Sequence, residues 1–340
     1  MTRKIDHYPE VNPMNDKTDG RIIGWISGGV ASAVACKLAI DHYGADRVSL
    51  VFCDTSWEHS DTYRFLSDLE KYFGKKIEML KSHRMSNPEE VWRKYLGMNF
   101  ANGAPCSTVL KREVRIKYQD ERNDFAQVFG FDYDKKEMRR ATNMLLNYPE
   151  LNPIFPLVVE QYDRKKIFAT LEEMGIQRPK AYDHFLNNNC IGDFDSPIGG
   201  CVQGGIGYWQ KMKDLFPKKY AYMANIEHEI SRDKGKPVTV CKDQRKGKVG
   251  NRLFLEACPD FPEVETISVI KGRQPVTPFE CNGFCKTQDA QEAGTEIEQQ
   301  CSKVVRELEA PKTLQASFIS RTLKRVDEDR TVIEVEEQSE

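Results

Sequence analysis

Ile22-Ile23-Gly24-Trp25-Ile26-Ser27-Gly28-Gly29-Val30-Ala31-Ser32 is the stretch that decides the fold of this chain. Its apolar start has the length and composition of a buried strand. Two glycines follow, and the alanine-rich segment behind them, reaching about Ile40, reads as a helix. Strand, glycine turn and helix in that order leave backbone N–H groups free at a positive helix terminus, where a phosphate can sit. Paired glycines let the backbone come close to the anion, and Ser27 and Ser32 add hydroxyl donors. The same order also describes an ordinary strand-to-helix connection, so the turn alone leaves both readings open.

Working outward, Val48 to Cys53 is a second buried strand, followed by a charged helix from about Ser60 to Tyr72. Lys76 to Leu80 reads as a third strand, Phe125 to Phe129 as a fourth, and Arg164 to Met174 as a further helix that Gly175 stops. Strands spaced by helices predict an α/β fold with a doubly wound parallel sheet. Ligands of such sheets bind beyond the carboxyl ends of the strands, and both the glycine turn and Asp54-Thr55 fall on that edge. The texture of the chain divides it into a polar lead-in over 1–20, a nucleotide-binding α/β unit over 21–185, a turn-rich cysteine region over 186–285, and a polar, helical or disordered tail over 286–340. Within the third part, Lys234 to Lys248 is a basic, glycine-containing loop.

The 340 residues, 39% of them hydrophobic, suffice for a sizeable core, while a charged fraction of 30% implies a well-solvated surface. A formal net charge of −2 gives no global basic field, although 50 lysines and arginines leave room for a local one. No apolar run approaches the ~20 residues that span a bilayer, and residues 1–6 carry no secretory apolar region, so a cytoplasmic protein without membrane association is expected.

Ten cysteines fall below the density of a disulfide scaffold, which points to buried thiols, metal ligands or catalytic groups. Cys36 and Cys53 sit inside an apolar helix and strand and read as core thiols. Cys241, Cys258 and Cys301 lack a partner at ligand spacing and read as structural or incidental. Cys106, in Ala104-Pro105-Cys106-Ser107, precedes Lys111-Arg112; a thiol at a helix start beside cations favours its thiolate. Cys190 and Cys201 are separated by a ten-residue loop, and Cys281 and Cys285 form a C-x3-C pair. Two pairs closing separate loops match a four-thiolate zinc or iron–sulfur site, with unpaired thiols as the bland alternative.

Several of these segments together resemble the phosphoadenosine phosphosulfate (PAPS) reductase-like branch of the PP-loop, or adenine nucleotide α-hydrolase, superfamily, and in particular its phage and bacterial members. Ser27-Gly28-Gly29-Val30-Ala31-Ser32 is similar to the PP-loop. Cys53-Asp54-Thr55-Ser56-Trp57-Glu58-His59, continuing through Thr62-Tyr63-Arg64-Phe65, resembles the motif after the second strand. Pro105-Cys106-Ser107 with Leu110-Lys111-Arg112 resembles the family's Cys-x-x-x-Leu-Lys segment. Asn188-Asn189-Cys190 and Cys201 to Lys211 resemble its cysteine loop, and Cys281-x3-Cys285 its terminal pair.

The resemblance implies an adenine nucleotide ligand, ATP or PAPS. Ser27, Gly28, Gly29, Val30 and Ser32 would grip its phosphate or sulfate, with Asp54 and Thr55 on the adenosine side. It implies sulfur transfer or reduction, with Cys106, Lys111 and Arg140 as catalytic residues, the last from a Glu-x-x-Arg segment that also holds Arg139. A solvated charged face is the bland reading of these cations. Cys190, Cys201, Cys281 and Cys285 would hold zinc or a 4Fe–4S cluster; an alternative set joins Cys106 to Cys190 and Cys201 around a cluster with one open iron. His59 reads as an acid–base group or as a hydrogen-bonded helix-start residue, and Tyr208-Trp209 as a base-stacking pair or as core. tRNA or DNA as sulfur acceptor and a homodimer are further expectations. Ala31 replaces the acid of ATP-cleaving members, Glu280-Cys281-Asn282-Gly283-Phe284-Cys285 matches the reductases' Glu-Cys-Gly-Leu-His only loosely, and Asp193 to Gly200 lengthens the cysteine loop. Those departures motivate the other reading, a nucleotide-binding regulatory or complex subunit without catalysis.

Overall fold

The computed structural model describes residues 20–100, 103–120, 125–147 and 151–276. Five strands, β1 (Arg21–Ile26), β2 (Val48–Cys53), β3 (Ile77–Leu80), β4 (Phe125–Val128) and β5 (Pro153–Ile154), form one sheet in the order β3-β2-β1-β4-β5. Every neighbouring pair is parallel, with Ile22 opposite Val48 on one side of β1 and Ala126 on the other. The α/β architecture expected from the strand–helix alternation is therefore present. The order reverses at β1 and β4, the switch point at which crevices open in such sheets. Among the described residues, no helix is long and apolar enough to cross a membrane.

Both faces of the sheet are buried, and the side-chain period of two sorts residues between them. Ile22, Ile26, Leu50, Phe52, Ala126 and Val128 join one core cluster, whereas Ile23, Trp25, Val51, Cys53 and Phe129 join another. The first face is covered by α1 (Val30–Tyr43), α2 (Ser60–Phe73) and α8 (Arg164–Glu173). Gly24 lets α1 come down on the sheet: a Cβ there would stand 2.8 Å from Cys36 Sγ. Helix α2 buries Asp61, Thr62, Phe65, Leu66 and Leu69, a helical stripe, and ends on Gly74 in the left-handed conformation. Each fully buried aliphatic or aromatic side chain in these layers contributes about 1.5–3 kcal/mol.

The helices α3 (Pro88–Tyr95), α4 (Pro105–Ser107), α5 (Glu113–Asp120), α6 (Lys135–Asn147) and α7 (Pro156–Val159) complete this half. Between α4 and α5 the backbone widens into a π-helical turn over Thr108–Arg112. Beyond it, α9 (Ile206–Leu215) and α10 (Pro217–Lys234) build a second core in which Trp92, Tyr208, Trp209, Met223, Val240 and Leu253 meet. A short antiparallel ribbon, β6 (Cys241–Lys242) and β7 (Arg252–Leu253), emerges from that core. The basic loop expected at Lys234 to Lys248 thus begins as the last residue of α10 and becomes the ribbon's first strand and its turn. Glu227 of α10, fully buried, accepts the N–H groups of Val240 (2.7 Å) and Leu255 (2.8 Å), pinning both ends of the ribbon.

Candidate functional site

Ser27, Gly28 and Gly29 join β1 to α1 on the carboxyl edge of the sheet. Gly28 has φ +81°, and a Cβ there would stand 2.9 Å from Thr62 Cγ2, so both conformation and space require glycine. The two serines close the loop on itself. Ser32 Oγ accepts the Ser27 N–H (2.9 Å), donates to the Gly29 carbonyl (2.9 Å) and lies 3.0 Å from Ser27 Oγ. The Gly29 N–H reaches Ser27 Oγ only at 3.4 Å. The Val30 N–H, expected as a phosphate donor, donates to the Tyr182 hydroxyl at 3.2 Å, while Asn188 Nδ2 donates to the Gly28 carbonyl at 2.9 Å. The turn therefore carries a roof made from residues far along the chain, and Ala31 beneath it is buried.

At the end of β2, Asp54 is buried and fully engaged. Its Oδ1 accepts the Ser56 N–H (2.8 Å) and the Tyr63 hydroxyl (2.9 Å), and its Oδ2 lies 3.1 Å from Lys81 Nζ. Burial and the Asp54 charge push the Tyr63 phenol well above its ordinary pKa, so it stays a donor. Thr55 Oγ1 donates to Glu58 Oε1 at 2.8 Å and lies 3.5 Å from Cys190 Sγ, which in turn lies 3.8 Å from the same Glu58 oxygen. His59 caps α2: its Nδ1 accepts the Asp61 N–H, its ring meets Phe194 edge-on, and burial lowers its pKa. Its place is that of a helix-start residue.

A pocket opens beside Thr55, lined by Trp92, Cys106, Lys111, Cys190 and Cys201 among others. Two segments supply its thiols. Pro105 starts the short helix that carries Cys106, and the π-helical turn brings the buried Lys111 into the same pocket. Extra-wide turns of this kind are frequent at functional sites. Cys190 and Cys201 are brought together by the long loop closing at its neck: the Gly200 N–H donates to the Cys190 carbonyl at 2.9 Å. Cys190 adopts φ +46° there, a conformation costly for a side-chain-bearing residue. Lys219 Nζ donates to the Ile198 carbonyl from inside the loop, and burial lowers its pKa to about 8.

Arg140 takes another position than the turn. Its Nη1 lies 2.7 and 2.8 Å from the two carboxylate oxygens of buried Glu137, and its guanidinium packs over Phe131. Asp132, at the exit of β4, is buried with Oδ1 lacking a hydrogen-bond partner. Burial and the nearby Glu137 raise its pKa to about 7, against Arg164 at 3.9 Å. The Arg139 side chain, Cys281, Cys285 and Cys301 lie outside what is described. Among the described residues, no group of three or more His, Cys, Asp or Glu is placed to hold a metal ion. The two described members of the expected four-cysteine set, Cys190 and Cys201, are joined in the pocket by Cys106. Cys36, Cys53, Cys241 and Cys258 are buried thiols, and Tyr208 and Trp209 belong to the second core. Glu58, Asp132, Tyr182 and Asn188 were not singled out as site residues by sequence; Glu58 and Asn188 stood inside quoted motifs, whereas Asp132 and Tyr182 carry no local signal.

The family model of the phosphoadenosine phosphosulfate reductase domain matches residues 21–196, from the first strand through the cysteine-loop start. The chain belongs to this family. Among solved structures, the PAPS reductase from Candida auris in its phosphate complex is similar at 16% identity, covering 54% of this chain and 91% of that one, with a TM-score of 0.37. No curated protein matches the chain significantly. The family match runs through the glycine turn, Asp54-Thr55, Cys106, Lys111 and Cys190, and ends before Cys201 and the basic ribbon.

Proposed function

We propose that this PAPS reductase-family protein binds an adenine nucleotide, ATP or PAPS, at the glycine turn and moves sulfur with the thiols of Cys106, Cys190 and Cys201. One observation carries the reading: thiols from separate parts of the chain line one pocket with Lys111, against Thr55 on the edge where the sheet holds ligands. An ammonium group in such a pocket favours thiolates, the species that accepts or passes on sulfur. Lys111 then serves the thiols, and the glycine turn serves the nucleotide's anionic group. The described thiols do not surround a single ion, so zinc and the 4Fe–4S cluster enter no step here; the chemistry is that of the cysteines themselves.

The test is twofold. ATP or PAPS at saturating concentration is expected to raise the melting temperature, since a ligand at 100 times its Kd stabilises by about 2.7 kcal/mol. Incubation with the sulfur-bearing nucleotide is then expected to leave a sulfur adduct on peptides holding Cys106, Cys190 or Cys201, read by mass spectrometry. Absence of any nucleotide-induced shift overturns the reading.

A second reading, a nucleotide-binding subunit without turnover, is favoured by the roof over the turn and by Ala31 in place of an acid. Release of AMP, pyrophosphate or sulfite during incubation decides against it.

A further inference from the structure

The ribbon β6–β7 places like charges opposite each other, one of them Arg252, whose Nη1 donates to the Thr239 carbonyl at 3.4 Å. Lys242 and Arg252 are register partners across a two-stranded ribbon, so their side chains share a face. Like charges directly opposite destabilise such a pair. Lys234 and Lys236 lie beside them: the Lys234 pKa is lowered by burial and further by the charges of Lys236 and Arg252. The turn of the ribbon adds Arg245, Lys246 and Lys248. Two of these are balanced, since Arg245 pairs with Asp243 and Glu265 (both 2.6 Å) and Lys248 with Glu265 (3.0 Å). Lys236 and Lys246 are exposed and have no acidic partner among the described residues. A chain with a net charge of −2 thus carries Lys234, Lys236, Lys242, Lys246 and Arg252 on this ribbon and the segment leading into it, with Lys236 and Lys246 exposed.

The root of this element is fastened to the thiol pocket. Asn99 Nδ2 donates to the carbonyls of Val202 (3.0 Å) and Val240 (3.2 Å), and Gln203 Nε2 donates to Asn99 Oδ1 (3.3 Å). Val202 and Gln203 line the pocket next to Cys201, and Val240 immediately precedes β6. Lys234 Nζ donates to the Leu96 carbonyl from the same side.

We infer that the ribbon is a docking element for the phosphate backbone of a polynucleotide. Closely spaced lysines and arginines neutralise a chain of phosphates, with release of its counterions. A strand held there lies beside the thiol pocket; that it is the sulfur acceptor rests on the function proposed above, whereas the docking surface rests on the ribbon alone.

Fluorescence anisotropy of the full chain with labelled single-stranded DNA, single-stranded RNA and duplex DNA tests this. Binding with Kd of roughly 1–100 μM at moderate salt is expected, weakening linearly in log–log form as salt rises. The double variant Lys236→Glu/Lys246→Glu is expected to bind at least about tenfold more weakly and to lower the salt slope by about two. The control Lys71→Glu/Lys76→Glu, with the same charge change at the end of α2 and just before β3, is expected to leave binding unchanged. Which oligonucleotide binds best names the acceptor's chemistry. Failure of all three to bind, or equal weakening by the control, overturns the proposal. Loss of the ATP-induced melting shift with oligonucleotide binding intact overturns the nucleotide reading instead.

Discussion

Thr55 Oγ1 lies 3.5 Å from Cys190 Sγ, although 135 residues separate them in the chain. Thr55 sits just past β2 on the sheet edge, and Cys190 opens the long cysteine loop. Their contact joins the carboxyl edge of the sheet to the thiol pocket, with Glu58 touching both.

Two of the three pocket thiols are more accessible than the other described cysteines, Cys201 being buried. Cys106 and Cys190 are half-buried, whereas Cys36, Cys53, Cys241 and Cys258 are buried and react only after local opening. A short iodoacetamide pulse on the native protein, read by peptide mapping, is expected to label Cys106 and Cys190 at least about tenfold faster than those four.

The roof over the turn competes with an anion for one donor. Tyr182→Phe removes the hydroxyl that takes the Val30 N–H and frees that group for a phosphate. ATP affinity measured by calorimetry is expected to rise about two- to tenfold, the worth of one ordinary hydrogen bond.

Gly28→Ala meets both a positive φ and Thr62 Cγ2 at 2.9 Å. A loss of about 1–2 kcal/mol from the backbone alone is expected. The melting temperature should fall, and the ATP-induced shift should shrink with it.

Arg140→Ala leaves the Glu137 carboxylate buried without its cation, beside Asp132. A cost of about 3 kcal/mol is expected in denaturant unfolding. Adding Glu137→Gln should recover most of it, which identifies the arginine's described contact as one with Glu137.

Glu227 makes stability depend on pH. Burial raises its pKa from 4.5 to about 8, and its two backbone N–H donors oppose that shift without cancelling it. A carboxyl with a raised folded pKa stabilises fully below its unfolded value and loses that contribution as pH rises toward its folded one. Melting temperature is therefore expected to decline between pH 4.5 and about 8. In Glu227→Gln, which carries no charge, this component of the slope should vanish.

The sequence alone determined the four longer strands of the sheet and the carboxyl edge on which the glycine turn lies. Ile22 to Ile26 and Val48 to Cys53 carry enough local apolar signal to be strands, and Gly28-Gly29 enough backbone freedom to be a turn. These properties depend on neighbours within a few residues, and the parallel order follows from strands that alternate with helices. The short β5 and the β6–β7 ribbon escaped notice, because strands of two residues leave no periodicity to read. Tertiary structure alone decided what meets what. It carried Lys111 into the thiol pocket through a π-helical turn and joined Cys106 to Cys190 and Cys201. It also set Tyr182 over Val30. Such contacts arise from packing between segments distant in the chain, 152 residues apart for Val30 and Tyr182, where no local pattern records which side chain will fill which space.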